Sequence, residues 1–163
     1  MTMDEINALD AARFVERIGW VYEHSPWVAE RAASERPFRS FDELCARLNQ
    51  QVAKASRDEQ LALLRAHPDL GTRARVSPSS SKEQSGAGLD RLTQEEYGSL
   101  LQLNDAWREK FGFPFLYAVR GSDKFAIMKA MRQRIGSAEE QEFEEALRQV
   151  SRIARFRLEE IVS

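Results

Sequence analysis

Thr93-Gln94-Glu95-Glu96-Tyr97-Gly98-Ser99-Leu100-Leu101-Gln102-Leu103-Asn104-Asp105-Ala106-Trp107-Arg108-Glu109-Lys110-Phe111-Gly112 holds a start signal, a periodic stripe and a stop signal in one run. Thr93 and Glu96 have the Thr-x-x-Glu spacing in which a hydroxyl and a carboxylate satisfy backbone N–H groups left free at a first helical turn. Tyr97, Leu100, Leu101, Asn104, Trp107 and Phe111 then recur at helical spacing. Gly112 can take the left-handed conformation that closes a helix. The stretch predicts one long amphipathic helix.

The same grammar repeats along the chain. Ser40…Glu43, Ser56…Glu59, Ser80…Glu83 and Ser137…Glu140 are further candidate helix starts. Gly19 and Gly136 are candidate stops, and Pro26 suits a first turn after Ser25. Between these signals run the stripes Ala11, Phe14, Val15, Ile18; Phe41, Leu44, Cys45, Leu48; Phe125, Ile127, Met128, Met131; and Phe143, Leu147, Val150, Ala154, Leu158, Ile161. Phe113 to Val119 is the one apolar run of strand length, and Pro114 inside it argues for an extended segment packed between helices. Arg73 to Gly88, rich in Ser, Gly and charge, is the one loop-like stretch. With no repeat and no composition break, residues 1–163 are expected to form one all-α domain, a bundle of about seven or eight helices.

Bulk composition excludes several classes of function. Apolar residues are 42% and charged residues 31%, a soluble globular balance, and the net charge is −2 with the signs interspersed. Without a basic stripe, nucleic acid is not an expected partner. The apolar runs are too short to span a bilayer, and no signal-peptide core stands at the start, so a cytoplasmic protein is expected. Cys45 is the only cysteine, which excludes an internal disulfide and a thiolate metal cluster; its place in a stripe marks it as core filler. Two histidines far apart offer no metal-ligand spacing, so no metal is expected.

The candidate chemistry lies in two short words. His67-Pro68-Asp69-Leu70-Gly71 is followed, nine residues after Gly71, by Ser80-Ser81-Lys82-Glu83-Gln84. Pro68 disfavours helical geometry at His67, so the helix opened by Ser56 should end there. The helix terminus favours the protonated imidazole, a group poised to move protons near neutrality. A solvent-facing helix stop is the plainer alternative. Glu83 fits either an acid beside that histidine or the third residue of a capping box headed by Ser80. Gly86 and Gly88 permit close approach of a ligand or a neighbouring helix. Arg157 falls on the buried side of the last helix, where a guanidinium needs an anion or several acceptors; the alternative is a flank residue whose stem covers apolar surface. His24, before Ser25-Pro26-Trp27, reads as a helix end.

Taken together, these residues resemble the OHCU (2-oxo-4-hydroxy-4-carboxy-5-ureidoimidazoline) decarboxylases of urate degradation. The resemblance rests on the histidine word, Ser80-x-x-Glu83-Gln84 with Ala87-Gly88-Leu89, Asn104, and Lys110-Phe111-Gly112-Phe113-Pro114-Phe115. It extends to Glu23 through Trp27, Arg36-Pro37-Phe38 and Arg157-Leu158. Trp107, where tyrosine is expected, and Tyr117, where an aliphatic residue is usual, are local departures. The resemblance implies an all-helical homodimer without a cofactor that decarboxylates OHCU to (S)-allantoin. It implies His67 as the catalytic proton-transfer residue and Glu83 as its acidic partner. Pro68, Ser80, Ser81, Lys82, Glu83, Gln84, Arg157 and the backbone of Phe115, Leu116, Tyr117, Ala118 and Val119 would line the substrate. Other classes remain open: a cofactor-free hydrolase or isomerase of a related ureide, a ureide-binding module without turnover, and a structural adaptor.

Overall fold

The computed structural model describes residues 1–71 and 77–163, and every regular element among them is helical. In chain order these are α1 (Met3–Ala8), α2 (Ala11–Ile18), α3 (Trp27–Ala32), α4 (Phe41–Lys54), α5 (Arg57–Arg65), α6 (Pro78–Gly86), α7 (Gln94–Phe111), α8 (Lys124–Arg134) and α9 (Glu139–Ile161), with 3-10 turns at Gly19–Val21 and Ala33–Glu35. The all-α class is as expected, and among the described residues nine α-helices stand beside the seven or eight expected. Two sources account for the excess. Thr2 and Glu5 form a capping box that opens α1 as a separate short helix, and α6 occupies much of the Arg73–Gly88 stretch expected to be loop. Residues 73–76 of that stretch lie outside the described residues.

The local signals act as their chemistry predicts. Ser56 and Thr93 head complete capping boxes with Glu59 and Glu96, and Ser40 accepts the Glu43 N–H. Gly112 ends α7 at φ 78°, donating its N–H to the Arg108 carbonyl. Gly19 ends α2 at φ −61°, so it needs no glycine conformation there. The Ser137 box sits slightly off, since α9 begins at Glu139 and the Ser137 N–H caps the Arg134 carbonyl.

The chain forms two compact units, Met1–Ala66 with Val150–Ser163, and His67–Gln149. In the first, Asn7 clamps Phe38 by donating to its carbonyl (2.8 Å) and accepting its N–H (2.9 Å). Arg36 donates to the carbonyls of Ala33, Ile6 and Leu9 and lies over the Phe14 ring. The Arg36-Pro37-Phe38 word thus staples α1 and α2 to the chain beyond α3.

In the second unit, Leu70, Ala87, Leu89, Leu100, Trp107, Phe115, Val119, Ile127, Met128 and Met131 share one core. Trp107 is fully buried with the Phe115 ring edge-on at 4.8 Å. Two stripe members point outward instead: Leu101 is 41% exposed and Phe125 69%. Leu101 sits about 100° around α7 from buried Leu100, and Phe125 about 200° around α8 from buried Ile127, so the core takes only one residue of each pair.

Candidate active site

The chain leaves α5 at Arg65, the Ala66 N–H bonds back to the Ala62 carbonyl at 3.0 Å, and Pro68 follows two residues on. His67 is therefore the last residue before a proline-directed turn, and it is buried. A solvent-facing helix stop is excluded by that burial.

The Ser80 word folds differently from expectation. Ser77 is the N-cap of α6, accepting the Ser80 N–H at 3.1 Å, and Pro78 takes the first helical position. Proline's fixed φ and missing N–H suit that position, which moves the start one turn earlier. Ser80 is thus inside the helix, and Glu83 does not belong to a capping box. Ser80 and Gln84 are buried and Glu83 is half-buried, forming one face, while Ser81 and Lys82 are exposed. A Cβ at Gly86 or Gly88 would meet no other atom within 4 Å among the described residues.

This face of α6 meets the turn after His67. Gln84 Oε1 accepts the Gly71 N–H at 2.8 Å, joining the two words the sequence keeps apart. From α7, Asn104 Nδ2 donates to the Leu70 carbonyl at 3.0 Å, and Arg108 Nε donates to Asp69 Oδ1 at 2.8 Å. Gly71 itself has φ 70°, and a Cβ there would collide with Leu100 Cδ2. Gly71→Ala is expected to lose about 1–2 kcal/mol from the left-handed conformation alone, with the Leu100 collision adding to it. Thermal unfolding checks this; an unchanged midpoint would mean that the turn relaxes freely.

The segment Phe113 to Val119 has no regular secondary structure and, apart from half-buried Tyr117, is buried. Buried backbone groups need partners, and here side chains supply them. Arg134 Nη1 donates to the Leu116 carbonyl at 3.0 Å, and Gln149 Oε1 accepts the Ala118 N–H at 2.9 Å. Arg134 also lies over the Phe115 ring and pairs with buried Glu142. Burial pushes the Glu142 carboxyl up, against the pull of Arg134. Tyr117 stacks on Phe115 and its hydroxyl is 3.1 Å from Ser122 Oγ.

Arg157 lies in the other unit. It is 4% exposed, and its anion is Glu23: Nη1 is 2.8 Å from Glu23 Oε2, and Nη1 also donates to the Val21 carbonyl at 3.3 Å. The flank reading therefore fails. Glu23 had no reading of its own in the sequence, because neighbouring residues give no sign that it is 2% exposed.

Cys45 is half-buried and lines a cavity of about 230 Å³ with Tyr22, Asn49, Ser151 and Arg155. Burial pushes its thiol up, which favours the protonated form. Among the described residues, no group of three or more His, Cys, Asp or Glu is arranged to hold a metal ion, and no helix is long and apolar enough to cross a membrane.

The OHCU decarboxylase family pattern matches residues 7–159. The chain belongs to that family. An OHCU decarboxylase from Haloferax volcanii is 48% identical over 160 residues, covering 98% of this chain and 95% of that protein. The uric acid degradation bifunctional protein PucL of Bacillus subtilis is 43% identical over 99% of this chain, which spans 33% of that longer protein. A crystal structure of (S)-allantoin synthase superposes with a TM-score of 0.83 at 32% identity, over all of this chain and 54% of that one.

For this member of the OHCU decarboxylases, the described contacts sort the resembling words into two kinds. Arg36-Pro37-Phe38 is a structural staple. The His67 and Ser80 words meet through Gly71 and Gln84. Arg134, Glu142 and Gln149, absent from any sequence reading, hold the Phe113 to Val119 segment. Their only local hint was the oddity of an unpaired extended run in a helical chain.

Proposed function

We propose that this chain decarboxylates OHCU to (S)-allantoin, with His67 moving the proton and Glu83 as its acidic partner. The observation that carries the reading is the hydrogen bond from the Gly71 N–H to Gln84 Oε1. It brings the turn that begins at a buried histidine against the helical face bearing Glu83, Ser80 and Gln84, in a chain of this family.

The chemistry asks little else of the protein. The bond from the ring carbon to its carboxylate breaks and CO2 leaves. The electron pair forms a new ring double bond, the adjacent carbon–nitrogen double bond opens, and that nitrogen takes a proton. The resulting enol loses its hydroxyl proton and gains one on the former imine carbon, from one face. One proton is taken up overall. The substrate's own double bond is the electron sink, so the proposal requires no cofactor. His67 would serve the hydroxyl or the ring carbon. With its oxygen engaged by Gly71, Gln84 has amide hydrogens to offer a substrate carbonyl. Pro68, Ser80 and the backbone of Phe115 to Val119 complete the proposed lining in this unit. Ser81 and Lys82, being exposed, would serve only at its rim. Arg157, which the resemblance places on the substrate, already has Glu23 as its anion, so no substrate charge is assigned to it. A cytoplasmic homodimer is the assembly and setting that the resemblance implies.

The test is circular dichroism of OHCU generated freshly from urate, with and without the protein. Rapid growth of one enantiomer's signal is the expected result, and slow formation of racemic allantoin would overturn the proposal. In the same assay Glu83→Gln is expected to fall about 10²-fold or more with little change in thermal midpoint, since the N-cap of α6 is made by Ser77 with the Ser80 N–H and does not use Glu83. Full activity in that variant would remove Glu83 from the mechanism.

A further inference from the structure

We infer that α7 is the template that sets the position of His67, and that Asn104 is its positioning residue. The inference rests on the proposed role of His67 and concerns how that side chain is held. Leu100, Asn104 and Arg108 are spaced four apart, so they share one face of α7. They meet Gly71, Leu70 and Asp69 in reverse order: Leu100 where a Gly71 Cβ would lie, Asn104 on the Leu70 carbonyl, Arg108 on the Asp69 carboxylate. Three successive residues of the turn after Pro68 are thereby fixed to one rigid element.

The three rungs differ in kind. The Arg108–Asp69 pair is solvent-accessible, with side chains 42% and 29% exposed, and such pairs hold weakly. Leu100 against Gly71 is packing, which has no direction. Asn104 alone is both buried, at 4% exposure, and directional. Its Oδ1 is buried with no hydrogen-bond partner among the described residues. A carboxamide half-satisfied in a core is unfavourable, and an apolar residue of its size would avoid the penalty. The bond to the Leu70 carbonyl is what the asparagine contributes in return. Between Leu70 and His67 stand only Asp69 and Pro68, and the proline ring locks its own φ and restricts the residue before it. An error at Leu70 is therefore passed to the imidazole with little slack.

The protein has two histidines, so the imidazole Cε1–H signals of ¹³C-histidine-labelled protein report His67 directly, with exposed His24 as internal control. In Asn104→Leu, kcat is expected to fall about 10–100-fold, as misplacement of a reacting group does, with KM within about threefold. The His67 signal and its titration midpoint are expected to move while those of His24 stay. Met131→Ala, in the same core but with no hydrogen bond to the Leu70 carbonyl, should lose stability without either change. An unmoved His67 titration, or a kcat loss equalled by Met131→Ala, would overturn the inference. If Asn104→Leu does not fold, Asn104→Ser, which leaves room for water on the Leu70 carbonyl, carries the same test. Absence of turnover in the unaltered protein would instead sink the decarboxylase reading, and the histidine titration alone would then decide the role of Asn104.

Discussion

His67→Asn is expected to slow turnover by about 10²–10⁴-fold, the usual contribution of one general acid–base side chain. Asparagine can still donate and accept hydrogen bonds in a buried place, but it cannot take up and release a proton near neutral pH. The substrate keeps its electron sink, so a residual rate above the spontaneous one is expected from binding and orientation alone. The stereochemistry should suffer with the rate, because enol that escapes unprotonated is quenched by water on either face. Circular dichroism therefore gives two readouts in one trace: a slower signal and a smaller final amplitude. Near-normal rate and amplitude would remove His67 from catalysis. A variant inactive because it is unfolded would show itself by loss of the far-ultraviolet helical signal.

The second large effect concerns stability. Glu23→Leu and Arg157→Met, made separately, should each lower stability by about 3–5 kcal/mol, because each removes one partner of a buried ion pair. Glu23 and Arg157 are 2% and 4% exposed, so water cannot screen the charge left behind. For a chain of this size that is a fall in Tm of roughly 6–20 °C. The double variant should recover most of the loss, since two apolar side chains of similar volume replace an ion pair that itself contributes little net stability. A double-mutant cycle from thermal unfolding measures the coupling directly. Arg157→Met with wild-type stability would show that the guanidinium is not held by Glu23, and would return it to the substrate.

Much of the fold was legible because helix signals are local. A capping box, a stripe or a stop glycine acts within one or two turns, so α4, α5 and α7 begin where Ser40, Ser56 and Thr93 stand. The structure departs from these local signals in two ways. At α6 two serines competed for the N-cap, and Ser77 prevailed over Ser80 because Pro78 is pre-organised for the first turn. Leu101 and Phe125 belong to their stripes by spacing yet face solvent, since periodicity marks an apolar arc and only packing decides which residues within it are covered.

The candidate site divides along the same line. By itself, the sequence determined the helical class, the proline-directed turn after His67, and the need of Arg157 for an acceptor, all consequences of backbone geometry and charge within a few residues. Only the tertiary structure decided that this acceptor is Glu23, that Gln84 and Asn104 grip the turn after His67, and that Arg134 and Gln149 satisfy the Phe113 to Val119 segment. The physical reason is that a buried polar group must find a partner wherever the packed chain brings one, and that choice belongs to the three-dimensional arrangement of helices.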